Sequence, residues 1–325
     1  MILDAAETRK RFLLRMAGVR DGKAYIGPEI VHLHMTTRCN LSCAYCSYHP
    51  PGYKIGPDRP MDFSLPLFLR LIDEAVKLRS NAVYLSGEGE PTMHPHFREM
   101  ISALEKAPIE TTLFTNATYD PRLSEELVKA DRLIVNLSAA NAKSYLEMQG
   151  RDFFERVLEN LRILVHLRDT QKPGLRVEIS FISNRKNAGE LQELQSLGKR
   201  LGVCAVNDIR MLPTPYSGEL GLDVDQEQES VRPRTAFPLC FNGWFYFVVS
   251  VDGKVSLCCS IDRMVKADFR KSSLVEIWNS KEFQAMRAGG TRGVFHQVFP
   301  ECRNCFADGR NRSVARNLGI LPVYG

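Results

Sequence analysis

The placement of nine cysteines constrains this chain more than any other feature of its sequence. Three of them, Cys39, Cys43 and Cys46, fall in one short stretch near the start. Cys204 stands alone, and the last quarter of the chain holds Cys240, Cys258, Cys259, Cys302 and Cys305. Disulfides are rare in reducing compartments, where clustered cysteines more often bind metal or take part in chemistry. The spacing therefore predicts two separate cysteine sites.

The composition supports a folded, cytoplasmic protein with those sites. Its 325 residues, 44% of them hydrophobic, suffice for one large domain with a small appendage. The net charge of +5 is too weak to argue for nucleic acid as a partner. The sequence has no apolar run of about 18 residues, and Arg9, Lys10, Arg11 and Arg15 interrupt its N-terminal apolar stretch. Neither a membrane span nor a signal peptide is predicted.

Short runs rich in β-branched residues alternate with longer amphipathic segments between the two cysteine groups. This alternation is typical of βα units around a parallel sheet. The helix after the first strand is predicted to bury Leu65, Leu69, Ile72 and Val76, which recur every three or four residues. The predicted strands are Ile30–Met35, Ala82–Ser86, Thr111–Thr115, Leu133–Ser138, Arg176–Ile182 and Val206–Met211. We expect an α/β fold, a partial (β/α)6 barrel with its chemistry at the carboxyl ends of the strands.

The pattern changes after Met211. A helical extension at residues 1–29 and the barrel at 30–212 are followed by a polar connector at 213–235 and a small module at 236–325. Within this module, Trp244–Val251 and Lys254–Cys258 read as two strands joined at Asp252-Gly253, a strong β-hairpin signal. A helix is predicted over Leu274–Met286.

The first cysteine group is spaced C-x3-C-x2-C directly after the first predicted strand. Three thiolates in such a loop can hold three irons of a cubic cluster and leave the fourth iron open to a small molecule. A zinc knuckle that recruits His49 is the alternative, but zinc ribbons usually pair two C-x2-C knuckles.

The run VHLHMTTRCNLSCAYC, from Val31 to Cys46, resembles the signature of the radical S-adenosylmethionine (SAM) superfamily. The resemblance extends over roughly residues 26–211. It implies that Cys39, Cys43 and Cys46 hold a 4Fe-4S cluster whose open iron chelates SAM. By position, Tyr45 would lie against the adenine of SAM.

Further motifs follow in the order that the family shows. SGEGEP, at positions 86–91, resembles the family's GGEP motif, with Glu88 in place of the first glycine. TNA, at positions 115–117, resembles Thr-Asn-Gly at the end of the third strand, and a serine ends the fourth strand, where relatives contact SAM. The resemblance therefore implies further SAM contacts from Gly89, Glu90, Asn116 and Ser138.

Cys240, Cys258, Cys302 and Cys305 form the second group, in which a hairpin and a C-x2-C pair bring four thiolates together. Such a set can bind zinc or a 4Fe-4S cluster, and spacing alone does not choose between them. The pattern is similar to the SPASM and twitch extensions of radical SAM enzymes, which implies an auxiliary 4Fe-4S cluster. Because no cysteine follows Cys305, we expect the shorter twitch type with one auxiliary cluster.

Two cysteines remain outside both groups. Cys259 must point to the opposite face of its strand from Cys258, and Cys204 lies at a strand edge, so both are interpreted as structural. The alternative is that one of them donates a hydrogen atom. Candidate substrate contacts at strand ends and in the connector are Arg185, Arg210, Tyr216 and Glu219.

The resemblance implies an enzyme that cleaves SAM to a 5′-deoxyadenosyl radical. The first cluster would be reduced for this reaction by an electron donor such as flavodoxin or ferredoxin. The few residues before the first strand favour a small polar substrate, such as a sugar, cyclitol or nucleoside, over a peptide. We expect oxidation of this substrate, with epimerisation and peptide modification as alternatives. A non-catalytic, zinc-stabilised protein that binds a partner or RNA is the alternative of another class. The sequence lacks the aromatic residues within a basic stripe that an RNA-binding surface would show, which argues against this alternative.

Overall fold

One eight-stranded sheet organises the chain, in the order β6-β5-β4-β3-β2-β1-β7-β8. The computed structural model describes residues 4–52, 61–211, 218–222, 239–258, 267–299, 302, 305 and 307–320. The strands are β1 Ile30–His34, β2 Ala82–Ser86, β3 Glu110–Thr115, β4 Arg132–Asn136, β5 Arg176–Ser183, β6 Ala205–Arg210, β7 Tyr246–Val249 and β8 Val255–Ser256.

The first six strands confirm the predicted α/β architecture. Neighbouring strands from β6 to β1 pair in parallel, as βα units require. Side chains alternate between the two faces of each strand. In β1, Val31 and Leu33 are fully buried in the main core, whereas His32 and His34 lie on the opposite, barrel-facing side.

Helices cover the outer face of the sheet. The series Phe154, Val157, Leu161 and Leu164 is buried against it, as its period indicates. The prediction that Leu69 faces the core is wrong, because Phe68 and Leu71 fill that face and leave Leu69 47% exposed. In the N-terminal part the helices are Ala5–Asp21, Leu65–Lys77, Phe97–Lys106, Ser124–Leu127, Ala142–Gln149, Phe154–Gln171 and Leu191–Leu201.

The C-terminal part contributes helices Asn242–Phe245, Leu274–Asn279, Lys281–Thr291, Phe295–Val298 and Asp308–Asn317. The single helix predicted over Leu274–Met286 is therefore two helices. They separate at Ser280, whose backbone is extended and whose side chain accepts a hydrogen bond from Phe283 N. Trp244 lies in a short helix before β7, not in a strand, because the strand begins at Tyr246.

The predicted hairpin is present, and it extends the barrel sheet. β7 and β8 pair antiparallel around Gly253, which has φ 78°. β7 also pairs in parallel with β1, Ile30 opposite Tyr246. The C-terminal part thus shares one sheet with the barrel. No helix among the described residues is long and apolar enough to cross a membrane.

Candidate functional site

A cavity of about 420 Å³ lies at the carboxyl ends of the parallel strands. This is the edge where loops converge and where ligands bind in parallel α/β folds. Its walls include Cys39, Cys43, Cys46, Tyr45, Ser86, Glu88, Gly89, Glu90, Asn116, Asn136, Ser180 and Met211. The structure therefore brings the three cysteines of the first group together with four of the five residues that the resemblance assigned to SAM.

The cysteine loop is fixed to the strands around it. Asn40 donates to Thr118 Oγ1 at 2.7 Å and accepts from Asn116 Nδ2 at 3.0 Å. Ala44 N donates to the carbonyl of Met148 at 2.9 Å. Gly150 has φ 77°, and a Cβ there would lie 2.5 Å from Ser42 Oγ. The loop thus has a defined shape that depends on this chain's own hydrogen bonds.

The thiols of this loop suit an iron-sulfur cluster. They are free and partly buried, and burial raises the pKa of Cys39 to about 11 and the pKa of Cys43 further. His49 N donates to Cys46 Sγ at 3.1 Å, a bond that favours the thiolate. Among the described residues, no three metal-binding side chains converge closely enough to hold one ion. Three thiols around a shared cavity fit a multi-iron cluster better than a single zinc.

The loop that follows β2 packs directly on the start of the cysteine loop. A Cβ at Gly89 would lie 2.1 Å from the Arg38 carbonyl oxygen, so this position requires glycine. Glu90 is buried, and its carboxylate accepts hydrogen bonds from Thr92, Thr115 and Asn116 N. Glu90 therefore braces the cavity wall, and its contact with the SAM amino group stays a prediction. Glu88 lines the cavity and lies 3.5 Å from His34 Nδ1.

Of the two polar side chains at the end of β4, Asn136 lines the cavity and Ser138 does not. Ser138 is fully buried outside the cavity lining, where it donates to Asn136 Oδ1 and accepts from Ile182 N. Asn136 lines the cavity and accepts a hydrogen bond from the Tyr45 hydroxyl at 2.9 Å. Ser138 thus supports a wall residue that sequence reasoning missed. The signal that could have found Asn136 is its place at a strand end.

The four cysteines of the second set lie near enough for their charges to act on one another. Cys240, Cys258, Cys302 and Cys305 are all free and partly buried. Burial, followed by the charges of the other three cysteines, raises the pKa of Cys240 to about 12. Asn311 donates to Cys305 Sγ at 3.9 Å. Mutual repulsion among these thiolates would be relieved by a bound cationic cluster, so the donor set fits the expected auxiliary centre.

The weaker candidates do not gather at the cavity. Cys204 is exposed and lies 3.7 Å from Arg168 Nη1. Arg185 and Glu219 are exposed and outside the cavity lining. Cys259, Tyr216 and the side chain of Arg210 lie outside the described residues.

A hydrogen-bonded group behind the cavity was not foreseen. His32 Nε2 bonds to Ser86 Oγ, which lines the cavity, and His32 Nδ1 bonds to the hydroxyl of Tyr246 in β7. His32 is buried, and burial followed by the nearby His34 lowers its pKa well below the ordinary value. His32 is therefore neutral near pH 7. Its two partners come from separate strands, which a linear pattern does not reveal.

Comparison with known families agrees with this geometry. Residues 33–170 match the radical SAM superfamily, and residues 240–306 match the SPASM iron-sulfur cluster-binding domain. This chain carries a radical SAM domain and a SPASM domain. Its cofactors are accordingly SAM and 4Fe-4S clusters.

Two relatives show how far the similarity of this radical SAM protein extends. It is 28% identical over 330 residues to the tungsten-containing aldehyde ferredoxin oxidoreductase cofactor-modifying protein of Pyrococcus furiosus. That match covers 85% of this chain and 87% of the relative. It is also 28% identical over 189 residues to a probable GTP 3′,8-cyclase of Saccharolobus solfataricus, covering 57% of this chain and 58% of the cyclase.

A solved radical SAM structure shares the fold. SuiB of Streptococcus suis, bound to SAM, matches with a TM-score of 0.65 at 15% identity, covering 87% of this chain and 73% of SuiB. SuiB is also known bound to its precursor peptide SuiA. At this identity the likeness concerns architecture, and it supports the barrel and its C-terminal extension as one arrangement.

Proposed function

We propose that this radical SAM protein oxidises a hydroxyl-bearing carbon of a small polar molecule to a carbonyl. The observation that carries the proposal is the pair of Ser86 and His32 at the cavity wall. Ser86 presents a hydroxyl to the cavity, and His32, which burial keeps neutral, contacts that hydroxyl through Nε2 from behind the cavity wall. In the proposed reaction this nitrogen accepts the proton.

Oxidation of an alcohol removes a hydrogen atom from carbon, a proton from oxygen and one further electron. When bound, SAM and its cluster would supply the chemistry that removes the hydrogen atom, and an auxiliary cluster would accept the electron. The proton is the part that this chain's own residues must move. A substrate hydroxyl bonded to Ser86 Oγ passes its proton through that hydroxyl, so that the substrate O–H bond breaks and a His32 Nε2–H bond forms.

The proposed roles of the cysteines and of the cavity residues are as follows. We infer that Cys39, Cys43 and Cys46 hold the SAM-binding cluster, and that Cys240, Cys258, Cys302 and Cys305 hold the auxiliary cluster. We assign contacts with SAM to Tyr45, Gly89, Glu90 and Asn116, which line the cavity, and we add Asn136 to them. Flavodoxin or ferredoxin remains the proposed reductant.

The test uses anaerobic, iron-loaded protein with SAM, dithionite and metabolite fractions in deuterated water. A substrate should raise 5′-deoxyadenosine formation and appear as a product two mass units lighter. Ser86→Ala should lose this product while substrate-free 5′-deoxyadenosine formation continues, and Ser180→Ala, also in the cavity lining, is the matched control. An isomeric product that carries one solvent deuterium would instead identify an epimerase.

A second candidate is the modification of a nucleotide-like cofactor. It is favoured by the similarity to the cofactor-modifying protein, which covers most of both chains, and by the similarity to a probable GTP 3′,8-cyclase. In the same assay, a change in a nucleotide fraction without a two-unit mass loss would support this candidate over alcohol oxidation. A product found only in peptide fractions would point to a peptide-modifying enzyme.

A further inference from the structure

A second polar group lies in the barrel interior, toward the amino ends of the strands. Tyr84 and Tyr246 pack there with Ile30 and Val248. The guanidinium of Arg310 lies over the Tyr246 ring, 5.7 Å from its centroid, and its charge acts on Tyr84. Arg310 thus reaches from the C-terminal helix Asp308–Asn317 toward the floor of the barrel.

One donor of Arg310 lacks an acceptor. Its Nη1 is buried, and no hydrogen-bond partner lies within reach among the described residues. The other deeply placed arginines differ in this respect. Arg15 and Arg287 donate to backbone carbonyls, and Arg132 forms a two-bond pair with Glu178. A buried N–H without a partner is costly, and such a group calls for an acceptor from elsewhere.

Arg310 lies on the side of the barrel interior opposite to the cavity, and the register of β1 gives the distance between the two. Tyr246 pairs with Ile30 at the start of β1, and Ser86 pairs with His34 at its end. Four residues of strand separate these two levels, which is about 13 Å. His32 lies between them and bonds to both Tyr246 and Ser86. The cavity end and the Arg310 end of β1 are therefore separated by roughly the length of a small extended molecule, with His32 between them.

We propose that Arg310 binds an oxyanion of the substrate, a phosphate or a carboxylate, at the end of the barrel away from the cysteine loop. A guanidinium with an open, buried donor prefers an anionic acceptor, since charge-assisted hydrogen bonds are the stronger ones. Glu29, Glu110 and Arg132 also act on Tyr84. Arg132 is paired with Glu178, whereas Nη1 of Arg310 has no acceptor among the described residues. That the anion belongs to the substrate rests on the proposed function.

The experiment measures anion binding without turnover. Oxidised, iron-loaded protein saturated with SAM is titrated calorimetrically with inorganic phosphate and, separately, with acetate at constant ionic strength. We expect Arg310→Gln to weaken binding about tenfold, and Arg310→Lys to weaken it less. Arg316→Gln, on an exposed position of the same helix, is the control and should bind like wild type. Tighter phosphate binding identifies a phosphate site, and tighter acetate binding identifies a carboxylate site.

Three results would overturn the proposal: no heat of binding with either anion, equal binding by wild type and Arg310→Gln, or an equal loss in Arg316→Gln. Iron content and melting temperature show whether each variant is folded. Because no product is formed in this measurement, failure of the oxidation assay would leave its outcome unaffected. The two proposals can therefore fail separately.

Discussion

The chain supports its two cysteine sets in different ways. The first set lies in one short loop that bonds to its surroundings through Asn40 and the Ala44 amide. The second set comes from segments far apart in the sequence, around Cys240, Cys258 and the final C-x2-C pair. Closing a long loop costs more chain entropy than closing a short one. We therefore expect a cluster on the first set to serve the reaction, and a cluster on the second set also to act as a cross-link that stabilises the fold.

Iron content gives the largest expected effect. Wild type should bind about eight irons per chain, as two cubic clusters. Replacing Cys39, Cys43 and Cys46 by Ala should remove half of the iron and change the melting temperature little. Replacing Cys240, Cys258, Cys302 and Cys305 by Ala should remove the other half and lower the melting temperature clearly. Equal melting temperatures for the two variants would contradict the comparison, and one zinc in place of the second cluster would refute the auxiliary 4Fe-4S assignment.

Removal of iron by a chelator should loosen the two regions unequally. The Cys240 amide donates to Gly290 O, and the Phe241 amide donates to Asn311 Oδ1. These bonds join segments that the second cluster would hold together, so hydrogen exchange should accelerate at residues 239–245 and 307–320. The amide of Ala44, bonded to Met148 O, should accelerate less. Faster exchange in the first loop than in the C-terminal segments would reverse the comparison.

The support of the first loop can be tested at Gly150. Gly150 and Gly22 both end helices with positive φ, 77° and 68°, but only a Cβ at Gly150 would meet another residue, Ser42. Gly22→Ala should cost about 1 kcal/mol of unfolding free energy from backbone strain alone. Gly150→Ala should cost about 1–3 kcal/mol more and reduce iron loading of the first cluster. Denaturant unfolding measures the free energy of unfolding, and iron analysis measures the loading of the first cluster. Equal costs for the two variants would show that the contact with Ser42 contributes nothing.

The smallest expected effect is a pH dependence within the barrel. Burial raises the pKa of Glu178, but hydrogen bonds from Arg132 and Asn207 and the charge of Arg132 outweigh it, so the pKa lies below its ordinary value. The carboxylate therefore stabilises the fold above the ordinary pKa of about 4.3, and this contribution is lost as the pH falls through the lowered pKa.

Glu178→Gln should accordingly cost about 1–3 kcal/mol near pH 7. The cost should shrink in acid. Asp120→Asn, which breaks the exposed pair with Arg122, is the control and should cost little at any pH. A cost for Glu178→Gln that does not change with pH would show that the carboxylate charge is not what stabilises this part of the barrel.

The sequence predicted the barrel strands well, but it did not predict features that depend on contacts between distant residues. The six barrel strands were predicted within about two residues, because alternating and periodic patterns are local signals. The break at Ser280 and the exposure of Leu69 were missed, since capping and packing against neighbours decided them. The groups around His32 and Arg310 could not be predicted, because their partners lie on β2, β7 and the last helix. The parallel pairing of β7 with β1 is non-local in the same way.

The most direct test of the account is the fate of SAM. Anaerobically reconstituted wild-type protein, reduced with dithionite, should convert SAM to 5′-deoxyadenosine, slowly without substrate, as measured by liquid chromatography and mass spectrometry. The variant that lacks Cys39, Cys43 and Cys46 should form none. Wild-type protein with full iron loading that yields no 5′-deoxyadenosine under any reducing condition would contradict the central claim that the cysteine loop and its cavity perform radical SAM chemistry.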